Sequence, residues 1–187
     1  VEPVTNTTSP DMACGRGASK VNKTATATPG SYMKFVWRGR DDYQRWPYKV
    51  GPVLTYLASC GKSCPDFDHS QAQWFKIAEY GIKSDEKWVQ EDASSGISVI
   101  IPSKLKAGPY LVRHEIINLE RASELGQAEF YMSCAQIEVT GSETGIAEPN
   151  EMVSFPGAYN ATDPGIYITH PSHLERSHYQ FPGPYLA

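Results

Sequence analysis

The stretch Gly108–Thr140, GPYLVRHEIINLERASELGQAEFYMSCAQIEVT, decides the fold. It holds two runs rich in β-branched and aromatic residues, Tyr110 to Leu119 and Glu129 to Val139, joined by a polar connection containing Gly126, the pattern of a long antiparallel strand pair. Side chains alternate along a strand, so Leu111, Arg113, Glu115, Ile117 and Leu119 share one face and Tyr110, Val112, His114, Ile116 and Asn118 the other. In the second run Tyr131, Ser133, Ala135, Ile137 and Val139 share a face opposite Phe130, Met132 and Cys134. The pairing is expected to put His114 and Tyr131 on central strands, within reach of one patch of surface.

Outward from this pair the chain continues in short strands. Ser31 to Arg38 and Val53 to Ala58 alternate in strand fashion, Gln73 to Tyr80 reads as strand because of its aromatics and the following Gly81, and Lys87 to Gln90 and Ile97 to Ile101 read as two more. Residues before Gly30 are rich in Thr, Ser, Pro and Asn and predict loop with at most a short edge strand. The segment after Gly157 is broken by Pro164, Gly165, Pro171, Pro182, Gly183 and Pro184 and is expected to wrap the outside. About seven short strands, turn signals between them and no amphipathic helical period predict an immunoglobulin-like or fibronectin-III-like antiparallel β-sandwich with long loops. With 187 residues and no internal repeat or linker, one domain over 1–187 is expected.

Charge and cysteines narrow the setting. The formal net charge is -4 and no dense Lys/Arg block tracks a phosphate backbone, so nucleic acid is excluded as a partner. No apolar run reaches the roughly 18 residues of a membrane helix, so no membrane partner is expected, and the protein is expected to act as a monomer. Cys14, Cys60, Cys64 and Cys134 form no CxxC pair, and two disulfides are the natural reading. Cys60 and Cys64 enclose a tight turn, Gly61-Lys62-Ser63, that a local disulfide could staple. Together with Asn-X-Ser/Thr acceptors at Asn6, Asn22 and Asn160, the cysteines point to an extracellular, secreted glycoprotein.

Several ordered motifs then match a known family: Pro3-Val4-Thr5 and Ser9-Pro10-Asp11-Met12-Ala13-Cys14, Gly51-Pro52-Val53, Trp74-Phe75-Lys76-Ile77-Ala78-Glu79, Gly108 to Ile117, Phe130 to Ile137, Val153-Ser154-Phe155-Pro156-Gly157-Ala158-Tyr159 and Thr162-Asp163-Pro164-Gly165-Ile166. Along essentially its whole length the sequence resembles the fungal lytic polysaccharide monooxygenases of auxiliary-activity family nine, formerly glycoside hydrolase family sixty-one. The resemblance implies a sandwich whose flat face carries copper in a histidine brace and cleaves cellulose or related glycans oxidatively. It implies disulfides Cys14–Cys134 and Cys60–Cys64, an axial tyrosine at Tyr131 and an outer-sphere histidine at His114.

Departures from the family pattern carry as much information. Where the family has its second brace histidine, two residues before the Gly-Pro, this chain has Lys49. A lysine amine is ordinarily protonated at neutral pH and then cannot ligate a metal. The family's first brace histidine lies ahead of Pro3-Val4-Thr5, outside this sequence. Glu129 stands where the family has glutamine, and Pro171 where it has a tyrosine on the substrate plane. The expectation is therefore a secreted fungal protein on this scaffold with no copper cofactor, weakly binding plant cell-wall polysaccharides such as cellulose or xylan. Tyr43, Trp46 and Tyr48, with Tyr179 and Tyr185 in the tail, are the candidate sugar contacts. The alternatives are an active copper monooxygenase and a cell-wall interaction protein without glycan affinity. His69 and the group His170, His173 and His178 read as exposed polar residues.

Overall fold

The computed structural model describes residues 2–39, 44–141, 145 and 151–187. Seven strands appear among them: β1 (Ala25–Ala27), β2 (Tyr32–Phe35), β3 (Val53–Ser59), β4 (Phe75–Tyr80), β5 (Ile97–Ile100), β6 (Gly108–Asn118) and β7 (Glu129–Val139). A five-stranded sheet in the order β1-β7-β6-β3-β4 faces a two-stranded sheet of β2 and β5, which is the expected sandwich. The long pair β6–β7 runs antiparallel with Ile116 opposite Tyr131 and His114 opposite Ser133. One pairing departs from the antiparallel expectation, since β1 lies parallel to β7 as a three-residue edge.

Why β6 is central follows from its composition. Nine of its eleven residues are buried, because both faces of the large sheet are covered. Toward the small sheet, Tyr110, Val112 and Ile137 pack with Leu57 and Phe75, while Ile116 and Tyr131 pack with Val53, Trp37 and Ile97. On the opposite face Leu111, Ile117, Phe130 and Met132 meet Val4 and Met12 from the N-terminal segment and Phe155, Tyr159, Ile166 and Tyr179 from the tail. The tail thus does more than wrap the outside. It supplies a layer of the core, because its aromatic residues cover apolar area that the small sheet does not reach.

That layer also encloses an ion pair. Arg113 and Glu115 are both fully buried and joined by two bonds, Nη2 to Oε1 at 2.6 Å and Nη1 to Oε2 at 2.7 Å. Arg113 also donates to the Met12 and Ala13 carbonyls, Tyr159 donates to Glu115 at 2.7 Å, and Phe155 stacks 3.9 Å from the guanidinium carbon. Disulfides join Cys14 to Cys134 and Cys60 to Cys64. The first ties the N-terminal segment to β7, two positions beyond Met132.

The strand expected at Lys87–Gln90 is instead a 3-10 turn over Val89–Asp92, with a single bridge from Trp88 to Ile82 before it. The Gln90 side chain donates to the Ile117 carbonyl at 3.1 Å, so this segment docks end-on against β6 and adds no strand.

Candidate functional site

Beyond β2 the chain leaves the small sheet at Trp37, whose N–H donates to Ala93. Arg38 and Arg45 then form an antiparallel bridge, and the chain returns through Trp46, Tyr48 and Lys49 to β3. Trp46 is fastened twice. Its backbone N–H donates to Ser94 Oγ at 2.6 Å and its indole N–H to Gln90 Oε1 at 3.2 Å. Its ring meets the Tyr131 ring edge-on, with centroids 4.9 Å apart and planes at 90°, and sits 5.5 Å from both Trp37 and Tyr48. The return to β3 is possible only because residue 51 is glycine: φ is +139° and a Cβ there would stand 1.9 Å from the Ile117 carbonyl.

A polar chain runs along the floor of this aromatic group. The Tyr131 hydroxyl donates to Glu129 Oε2 at 3.0 Å, with the Tyr48 hydroxyl 3.2 Å away. Asn118 Nδ2 donates to the same carboxylate oxygen at 2.9 Å, and Asn118 Oδ1 accepts from the Glu120 backbone at 3.1 Å. Glu120 Oε1 in turn accepts the Lys49 backbone N–H at 3.1 Å. Burial, the Tyr48 hydroxyl and the Glu129 charge together hold the Tyr131 phenol well above its ordinary range. Lys49 and Glu120 are exposed, Glu129, Trp46 and Tyr48 half-buried, and Tyr131 buried.

The sequence matches a family model for auxiliary activity family 9, formerly GH61, over residues 1–179. The chain belongs to auxiliary activity family 9. It is similar to AA9 family lytic polysaccharide monooxygenase D of Gloeophyllum trabeum, 42% identical across 100% of this chain and 54% of the relative. It is also 33% identical to AA9 family lytic polysaccharide monooxygenase B of Heterobasidion irregulare, over 97% of this chain and 75% of that one. The chain thus spans little more than half of the Gloeophyllum relative's length. Among solved structures, the family 61 member Cel61B from Hypocrea jecorina superposes with a TM-score of 0.87 at 33% identity, covering 97% of this chain and 78% of that one.

Within this AA9 chain the residues singled out from the sequence fall into three groups. Trp46, Tyr48, Lys49, Glu129 and Tyr131 come together as described. His114 does not join them: it is 1% exposed between the sheets, with its ring 3.9 Å from Phe35 and Nδ1 3.3 Å from Thr55 Oγ1. Burial and the neighbouring Arg113 charge hold it down to about 3, so it is a neutral interior imidazole. Tyr179 is likewise withdrawn from the surface. Its ring packs on Trp88 and Phe181, and its hydroxyl donates to the Gly165 carbonyl at 3.0 Å. Tyr185 is 89% exposed, whereas Pro171 is buried. Tyr43 lies outside the described residues. Asn6, Asn22 and Asn160 are all exposed.

Asn118, Gln90 and Glu120 escaped the sequence reading. Only the alternation of β6, which sets Asn118 on the face of Ile116 opposite Tyr131, signalled one of them. Among the described residues no group of three or more His, Cys, Asp or Glu is placed to hold a metal ion, and no helix is long and apolar enough to cross a membrane.

Proposed function

We propose that this AA9 chain is a secreted, weak plant cell-wall glycan-binding or accessory protein that works without copper-dependent oxidation. The observation that carries the reading is the Tyr48–Tyr131–Glu129–Asn118 hydrogen-bond chain beside Lys49. A histidine brace needs neutral nitrogen donors in a T-shaped set. The groups gathered here are phenol, carboxylate and amide, with an exposed lysine whose ammonium form has no lone pair to give. The Tyr131 hydroxyl is committed to Glu129 and Tyr48, and His114 is buried between the sheets against Phe35 and Trp37. Among the described residues this donor set does not fit the family's copper centre.

What remains on the face is suited to sugars. Trp46 and Tyr48 are half-exposed rings fixed by hydrogen bonds, and Glu120 and Lys49 supply acceptor and donor for hydroxyls, with Tyr185 an exposed ring in the tail. A shallow, open surface buries little of a ligand, so short oligosaccharides should bind at about 1 mM, or about -4 kcal/mol. Repeated contacts on a polymer strengthen this.

A second reading, an active copper monooxygenase, is favoured by the relatives named as lytic polysaccharide monooxygenases at up to 42% identity. The deciding experiment titrates the chain with Cu(II), records its electron paramagnetic resonance spectrum, and looks for oxidised sugars from cellulose and xylan with a reductant present. In parallel it measures binding of cello-, xylo- and glucomannan-oligosaccharides and insoluble polymers to the parent and to Trp46→Ala. The expected result is no tight stoichiometric copper, no oxidised product, and weak binding that Trp46→Ala reduces. Tight copper with nitrogen hyperfine structure and oxidised products would overturn the proposal. Absence of all glycan binding would leave a cell-wall interaction protein without sugar affinity.

A further inference from the structure

Beside Trp46 lies a recess of about 360 Å³ whose wall carries Arg38, Arg45 and Lys49 against one carboxylate, Glu91. Such a concentration of cations is unexpected in a chain of formal net charge -4. Arg38 and Arg45 are bridge partners across the strand-like crossing, and like charges directly opposite one another are unfavourable. Among the described residues none of the three takes part in a salt bridge. Arg38 Nη1 donates to the Ser94 carbonyl at 3.2 Å, which orients its guanidinium without neutralising it. Asp41 and Asp42, in the connection between the two arginines, lie outside the described residues.

We propose that this recess binds the carboxylates of acidic glycans, chains containing uronic-acid sugars, with Arg38, Arg45 and Lys49 meeting the charge and Trp46 and Tyr48 meeting the ring faces. The inference rests on the glycan-binding reading and assigns it a substrate class. Guanidinium presents a planar pair of donors that matches a carboxylate, and charge-assisted bonds of this kind are stronger than those to hydroxyls. Rings and cations are interleaved along one short segment, Arg45-Trp46-Pro47-Tyr48-Lys49, so a sugar stacked on Trp46 or Tyr48 places its ring carboxylate beside a positive side chain. The half-buried Trp46 is held in place by Ser94 and Gln90 before a ligand arrives, which lowers the ordering cost of binding. A longer phosphate polyanion is disfavoured, because among the described residues the cations form one local recess and no stripe continues from it.

The test is calorimetric titration of the full chain at low ionic strength with oligogalacturonate, with the same oligomer fully methyl-esterified, and with cello-oligosaccharide of equal length. Esterification removes the charge and leaves the protein untouched, so protein folding cannot confound it. The acid form should bind about tenfold more tightly than its ester, and added salt should erase that difference while leaving cello-oligosaccharide binding unchanged. Arg45→Gln and Lys49→Gln, both at exposed positions, should each weaken acid-form binding about two- to fivefold, as befits screened charge pairs. Equal affinity for acid and ester overturns this inference while leaving neutral glycan binding standing. Equal affinity for a single-stranded oligonucleotide overturns it as well, because it marks a generic anion surface. Failure of every glycan to bind instead removes the reading on which the inference rests.

Discussion

Replacing Glu115 by Gln tests whether the core depends on the one fully buried ion pair among the described residues. Both partners are 0% exposed, and Glu115 accepts Arg113 Nη1, Arg113 Nη2 and the Tyr159 hydroxyl at 2.6 to 2.7 Å. An amide presents one oxygen in place of two and turns an N–H₂ toward the guanidinium, so at least one Arg113 donor loses its acceptor. Arg113 also keeps a positive charge with no counter-charge beside it. Removing one member of a buried pair costs about 3–5 kcal/mol, and for a chain of this size each kcal/mol moves the melting temperature by roughly 2–4 °C. The variant should therefore melt roughly 6–20 °C below the parent in differential scanning calorimetry, and chemical denaturation should give the same loss. Because Arg113 also donates to the Met12 and Ala13 carbonyls, the N-terminal segment should lose amide exchange protection in step with the melting temperature. A loss below about 1 kcal/mol, the worth of an ordinary hydrogen bond, would refute the reasoning.

Two further outcomes follow from the same core. Cys14 and Cys134 are separated by 120 residues, so replacing both by Ser should cost about 4–5 kcal/mol on the loop-entropy relation, against about 2 kcal/mol for the Cys60–Cys64 pair that spans 4; denaturant titration of the two double variants checks the ranking. His114 titrates near 3 in the folded chain and near 6.5 unfolded, so the unfolded state binds the extra proton in between: stability is full above about 6.5 and falls toward 3 by at most about 1.4 kcal/mol per pH unit. His114→Gln should flatten the melting-temperature profile in that window relative to the parent, and an unchanged slope would show that the carboxylates alone set it.

Legibility of the fold was high where the chain pattern is local. The β6–β7 pair announces itself because eleven-residue strands show alternation several times over, and the register then follows from which faces are apolar. Lys87–Gln90 misled because four residues carry too little period to separate a strand from a 3-10 turn, and docking of Gln90 on Ile117 decides the matter. Alternation alone placed His114 correctly on an apolar face. The pairing argument also set it within reach of a patch of surface, whereas packing against Phe35 and Trp37 shows that the face it shares with Tyr131 continues into the interior. Tyr179 illustrates the same limit in the tail. A Pro-broken segment reads as exposed loop, and nothing local reveals that its aromatic residues close one side of the core.

The site was less legible because its contacts span long sequence separations: Trp46 to Gln90, Lys49 to Glu120, Tyr48 to Tyr131. Its chemistry is also separable from the fold. The ion pair, the Cys14–Cys134 disulfide and the tail aromatics lie on the face of the large sheet opposite the small one, whereas Trp46, Tyr48 and Lys49 stand on a returning loop held by Ser94, Gln90 and Gly51. Substitutions at exposed positions of that loop, Lys49 among them, disturb none of the buried bonds that stabilise the sandwich, and surface changes away from such features usually shift stability by under about 0.5 kcal/mol. A scaffold built this way can keep sequence motifs that reside mostly in the core while the side chains on the face vary in charge and donor type. Family membership is therefore carried by one set of residues here, and the choice between metal chemistry and glycan contact by another.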